Sequence, residues 1–172
     1  MKHMNIVIKK SILISKNEFI NSGFSPENNR TMDEFTKKVL FIADRLFDSD
    51  FSSINSENTG VVLTTRSGPY ESIKNIAAII NNNGYKSINP SLFPNVMLST
   101  SLAHLAMYLN IHGPSCAFYD MDRNGRNALD YCIIQVKTGN CEAMIQICTD
   151  ENGWAEGRYI TRKDCIYESS TD

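Results

Sequence analysis

Six consecutive residues could do chemistry together. Asp120-Met121-Asp122-Arg123-Asn124-Gly125 reads D-x-D-x-N-G. This is the first half of a calcium loop, where oxygens at positions 1, 3 and 5 converge on one cation and a glycine at 6 makes the turn. The second half departs from the pattern. Positions 8, 9 and 12 are Asn127, Ala128 and Tyr131, and a phenol cannot replace the bidentate carboxylate that closes such a loop. The run before it, "PSCAFY", has the composition of a strand where an entering helix would be required. The same residues fit a polar strand-to-helix turn whose Asp and Asn cap the helix. We take the run as that turn, with a calcium-binding module at Asp120–Gly125 as an alternative.

Other reactive side chains are few. The five cysteines, Cys116, Cys132, Cys141, Cys148 and Cys165, are odd in number and include no C-x-x-C. They read as reduced, buried thiols rather than a disulfide framework or zinc site. The three histidines, His3, His104 and His112, include no H-x-x-x-H pair, so no metal site is expected. His104 falls on a largely apolar helix and reads as a core or interface side chain. No G-x-S-x-G elbow or Ser/His/Asp order occurs. An enzymatic alternative would be a hydrolase or decarboxylase acting on acyl thioesters, with Asp122 or Asp120 working beside His112.

The elements that must position these residues alternate between strand and helix. Asn5 to Ile14 is β-branched and reads as a strand or hairpin. "SKNEFINSGFSPENNR" is polar and reads as a loop. Thr31 and Glu34 form a capping-box pattern, followed by Phe35, Val39, Ile42, Ala43 and Leu46 at helical spacing. Gly60 to Thr65 is a short apolar strand. A helix runs from near Pro69 to Gly84, with Ile73, Ile76, Ala77 and Ile80 on one face. "YKSINPSLFPN", with two prolines, is expected to be extended. Leu98, Leu102, Leu105, Ala106 and Leu109 mark one side of the next helix. "PSCAFY" is a strand, "NGRNALDYCIIQVKTG" a helix ending at Gly139, and "CEAMIQICTD" a buried strand. One more strand is expected around Arg158 to Arg162. The alternation predicts an α/β layered sheet.

From Ile88 to Glu151 the chain resembles the N-terminal half of β-ketoacyl synthases, in the thiolase-like superfamily. "INPSLFPNVMLSTSLAHLAMYLNIHGPS" is similar to the family's run from a Pro-Phe-Pro loop, through a helix, to a Gly-Pro. "QVKTGNCEAMIQICTDE" resembles the end of the nucleophile helix and the strand after it. "TGVVLTTRSGPYES" is similar to an earlier strand and its glycine-rich exit. The resemblance implies half of a thiolase-like fold, with about five strands in a mixed sheet and helices on both faces. In active members the nucleophilic cysteine lies nine residues after the Gly of the Gly-Pro. From Gly113 that register lands on Asp122. Cys116 and Cys132 fall too far away to replace it. The family's two histidines and lysine belong to a C-terminal half that this sequence does not contain.

The resemblance therefore implies a truncated, inactive subunit like the chain-length factor of type II polyketide or polyene systems. Its partner would be a full-length ketosynthase in a heterodimer, and an acyl carrier protein would bring the phosphopantetheine-linked chain. By family position, Leu92, Phe93, Cys116, Ala117, Phe118, Tyr119 and Ser67 are expected at the partner interface or acyl tunnel. Asp122 is expected to cap the helix. A truncated, inactive partner of this sort resembles those of aryl-polyene-like pathways. No cofactor is implied.

The bulk properties agree with one domain over residues 1–172, with a polar tail from about residue 165. The tail "YESSTD" reads as a natural end. Net charge is −2, which gives no pull toward nucleic acid or anionic membrane. No apolar run reaches membrane-spanning length and no signal segment is evident, so a cytoplasmic protein is expected.

Overall fold

The structure, a computed structural model, describes residues 5–27, 32–122, 125–150 and 155–163. Thr31, Arg123, Asn124, Cys165 and the polar tail lie outside the described residues. The strands are β1 (Ile6–Ile14), β2 (Thr59–Thr65), β3 (Ser115–Tyr119), β4 (Ala143–Thr149) and β5 (Ala155–Arg162). The helices are α1 (Lys16–Ser22), α2 (Glu34–Phe47), α3 (Tyr70–Asn83), α4 (Leu98–Tyr108) and α5 (Arg126–Thr138). One five-stranded sheet has the order β1-β5-β4-β2-β3. β2 runs parallel to β3 and β4, whereas β5 is antiparallel to both β4 and β1. The expected mixed sheet with helices on both faces is what the chain forms.

The central strands β2 and β4 are buried along their whole length. Their sequences are accordingly apolar rather than strictly alternating. On one face, Leu63, Ile145 and Ile147 meet Val39, Ile42 and Leu105 of α2 and α4. On the other, Val62, Met144 and Ile160 meet Ala128, Cys132 and Val136 of α5. Each fully buried aliphatic side chain contributes about 1.5–3 kcal/mol. Among the described residues β3 forms one edge of the sheet and pairs only with β2.

Four local expectations change. Residues Lys16–Ser22, expected as loop, form α1. Ser15 caps it by accepting from the Glu18 amide at 3.3 Å, and Gly23 at φ 63° ends it. The cap of α2 is Asp33, whose carboxylate accepts from the Thr36 amide at 2.8 Å. The two-proline stretch is not extended. It winds into short 3-10 turns at Tyr85–Ser87 and Pro90–Val96, with Asn89 capping the second and Pro90 in its first turn. The fixed φ of proline suits the start of such a turn as well as it suits extended chain. Finally, α3 buries only Ile76, while Ile73 and Ile80 stay about 40% exposed.

Candidate functional site

Parallel strands deliver their C-terminal ends to one edge of a sheet, where loops and helix starts converge. Here β2, β3 and β4 are followed directly by Arg66, Asp120 and Asp150. The Asp120 amide donates to Thr65 O at 2.9 Å, which ties β3 to β2. The Asp150 carboxylate ties β4 to β2. It accepts from the Arg66 amide at 2.8 Å, from Arg66 Nε at 2.5 Å and from Thr65 Oγ1 at 3.2 Å. Lys38, buried within α2, donates from Nζ to Asp150 O at 2.6 Å.

Burial pushes the Asp150 carboxyl up, but the amide and guanidinium of Arg66 and the Thr65 hydroxyl outweigh it and hold it below its ordinary value. A depressed carboxyl contributes stability that is complete above its unfolded pKa of about 3.9 and is lost as pH falls through the folded value. Urea unfolding between about pH 6 and pH 2 should show stability falling below about pH 4, less steeply in Asp150→Asn. Equal slopes in both proteins would place the acid sensitivity elsewhere.

The start of α5 is built differently from the expectation. Its N-cap is Gly125, in the left-handed region at φ 60°, with no side-chain cap. The Gly125 amide donates to Asp122 O at 3.2 Å. Gly125 O accepts from Gln146 Nε2 at 2.8 Å, and Gln146 Oε1 accepts from Arg158 Nη1 at 3.1 Å. Arg158 is also ion-paired with Glu156. Asp122, half-buried, is therefore not the N-cap. The carboxylate that organises the turn is Asp120. Its Oδ1 accepts from the Asp122 amide at 2.9 Å and from Asn127 Nδ2 at 2.8 Å, and the residue is only 4% exposed.

The cysteines sort by depth. Cys116 is half-buried within β3, and Cys132, fully buried, lies in the second turn of α5. Burial, with Cys141 nearby, pushes the Cys132 thiol up to about 12. Cys148 was not singled out from the sequence, yet it stands nearest the helix start. A Cβ on Gly125 would lie 3.2 Å from its Sγ. The signal was the period-two alternation of β4, which puts Met144, Gln146 and Cys148 on the α5 face. Burial raises its thiol too, so it is no ready nucleophile.

The residues expected at the partner interface fall into two groups. Tyr119 ends β3, is 56% exposed and rests on the turn after β2: a Cβ on Gly68 would be 2.8 Å from its Oη. This brings Ser67 beside the β3 edge. Phe118 sets its ring edge against Tyr131, with centroids 6.4 Å apart, while Cys116 and Ala117 are half-buried on opposite faces. Leu92 and Phe93 sit apart in the second 3-10 turn, against α3 and α4, with Phe93 51% exposed. His112 precedes β3 and pairs through Nδ1 with Glu57 Oε1 at 2.6 Å. Five strand residues, about 17 Å, separate it from the acidic turn, so His112 and the two aspartates are not brought together. His104 is half-buried on α4. Among the described residues no helix is long and apolar enough to cross a membrane.

Solved structures share the fold. A chain of the ishigamide ketosynthase/chain length factor is 16% identical with a TM-score of 0.78, over 94% of this chain and 63% of that one. A chain of AntDE:AntF, a type II acyl-carrier protein in complex with its ketosynthase bound to the hexaketide, is 13% identical with a TM-score of 0.76 and the same coverage. A chain of the ketosynthase ApeO in complex with its chain length factor ApeC from Xenorhabdus doucetiae is 12% identical with a TM-score of 0.66, over 92% of this chain and 79% of that one. The chain thus spans less than two thirds of the first two matched chains. No curated protein sequence matches it. The model of the β-ketoacyl synthase N-terminal domain matches residues 10–150. With that match over most of its length, the chain belongs to the β-ketoacyl synthase family, as an N-terminal domain.

Proposed function

We propose that the chain is a non-catalytic subunit of the chain-length-factor kind. It pairs with a full-length ketosynthase and shapes part of that partner's acyl tunnel during polyketide, polyene or fatty-acid-like chain elongation. The observation that carries this reading is the turn between β3 and α5. The family register puts the nucleophile position at Asp122, and the neighbouring side chain that orders the turn is a second carboxylate, Asp120. A carboxylate there does not supply the thiolate that forms an acyl-enzyme. Cys148, the thiol nearest the helix start, is buried with its pKa raised.

The surface supports a partner. β3 is an open edge, and Tyr70, Tyr119 and Met121 stand 49%, 56% and 82% exposed around its C-terminal end. Exposed apolar side chains beside an unpaired edge are what natural proteins cover. The ishigamide and Xenorhabdus complexes each combine a ketosynthase with a chain length factor, which favours a ketosynthase as that cover. The AntDE:AntF complex favours an acyl carrier protein as a further partner. On this reading Phe93, half exposed, enters the partner's tunnel.

Co-expression with a full-length ketosynthase carrying its Cys and two His tests the reading. The expected result is a stable one-to-one complex, no turnover of acyl thioesters by the isolated chain, and longer products from the complex when Phe93→Ala is present. Turnover by the isolated chain overturns it.

A further inference from the structure

We propose that residues 70–97 form a strap that opens and recloses as one unit while the sheet stays folded. The opening belongs to the isolated chain and stands apart from its role as a subunit. The strap comprises α3, the 3-10 turns at Tyr85–Ser87 and Pro90–Val96, and Met97. Within it only Ile76 is buried. None of its residues belongs to either of the two cores that flank the sheet. α3 packs chiefly on the turns that follow it, and the second of these rests on α4. An open cleft of about 590 Å³ lies between α3 and the start of α2, lined by Asp33, Glu34, Ser72, Asn75 and Ala78. Few buried apolar contacts and an exposed backbone mark a segment that opens well below the cost of global unfolding.

A latch, an anchor and two pivots define the unit. Ser72 Oγ donates to Asp33 Oδ2 at 2.8 Å, while Oδ1 of the same carboxylate caps α2 through the Thr36 amide. The latch thus ties the first turn of α3 to a helix of the larger core. Ile76, one turn further along, is the apolar anchor. The pivots are Gly68, at φ 61°, before α3 and Met97, extended at φ −102° and ψ 119°, before α4. Residues at the ends of elements absorb hinge motion in this way. Beyond Met97, Leu98 and Leu105 enter the core, so the opening stops there. Once undocked, α3 has little to sustain it. Its 14 residues are marginal for an isolated helix, and it ends in Asn81-Asn82-Asn83, which are poor helix formers. The strap carries Leu92 and Phe93. Its closing therefore conditions their entry into a partner's tunnel, a consequence that rests on the subunit reading.

Hydrogen exchange of the full chain, read by mass spectrometry of its peptides, is the test. After correction for intrinsic rates, the α3 amides should exchange at least about 100-fold faster than those of β2 and β4. The Leu92 and Met97 amides, bonded to Asn89 O and Pro94 O, should share the α3 opening. Ser72→Ala should speed exchange about 3- to 10-fold across the whole strap, Leu92 and Met97 included, and leave β4 unchanged. Ile76→Ala should do the same by about 30-fold or more. Strap protection equal to that of β4 overturns the proposal. So does acceleration confined to the first turn of α3, or acceleration that spreads to β4 in equal measure. None of these rates depends on a ketosynthase, so loss of the subunit reading leaves the test intact.

Discussion

Tyr119→Asp should abolish co-purification with a ketosynthase while leaving the isolated chain folded. Tyr119 is half exposed, so its replacement removes little core packing. Its ring lies against Gly68, beside Ser67, at the end of the open β3 edge. Tyrosines in that kind of setting often carry about 2–4 kcal/mol of an interface, a loss of roughly 30- to 1000-fold in affinity. A new carboxylate beside Asp120 and Asp122 adds like-charge repulsion and an unpaired charge to be buried. Ile20→Asp is the matched control. Ile20 is 61% exposed on α1, which follows the opposite edge strand. Pull-down from a co-expressing strain, with circular dichroism on each variant alone, reads the result. Recovery of the Tyr119→Asp complex at the wild-type ratio would move the interface away from β3.

Gly113→Ala should destabilise the fold by about 3–5 kcal/mol, lowering Tm by about 10 °C. A Cβ there would sit 2.3 Å from Thr59 O and 2.7 Å from Thr59 C, which are backbone atoms with no rotamer to yield. Gly60 faces it from the other side, its own Cβ position 2.4 Å from Pro114 O. The two glycines let the lead-in to β3 lie directly on the start of β2, where the Val61 amide donates to Pro114 O at 2.9 Å. Gly23→Ala provides the contrast. Nothing lies within 4 Å of that Cβ, so only the left-handed φ of 63° is penalised, at about 1–2 kcal/mol. Urea melts of the two variants should differ severalfold in lost stability. Equal losses would mean that the close approach of β2 and β3 relaxes freely.

The strands and long helices were legible in the sequence because each carries a continuous or periodic apolar signal. β2 and β4 read as apolar runs, and α2 shows its buried face in Phe35, Val39, Ile42 and Leu46. Their contacts then follow from burial. α1 was missed although Ser15 and Glu18 form the same capping pattern sought at Thr31. Its body holds only Phe19 and Ile20 as apolar residues, so periodicity gave no cue. At the site, the acidic turn was found at once, but the wrong aspartate was given the structural task. Alternation along β3 turns Cys116, Phe118 and Asp120 to one face. With α5 starting only at Arg126, the carboxylate at the strand end reaches forward across the turn to the Asp122 amide and Asn127. Cys148 escaped notice because nearness to Gly125 is a cross-chain contact that no local pattern encodes.

The place of β1 has a consequence for how the protein is made. Among the described residues β1 pairs only with β5, and the two are separated by some 140 residues of intervening chain. At ribosomal speeds of about 5–20 residues per second, β1 waits on the order of ten seconds for its partner strand. During that interval Ile6, Ile8, Ile12 and Leu13 have no strand to pair with. Such long-range pairing is paid late and folds slowly. Expression yield should therefore depend on synthesis rate and on chaperone supply more than the stability of the finished sheet would suggest.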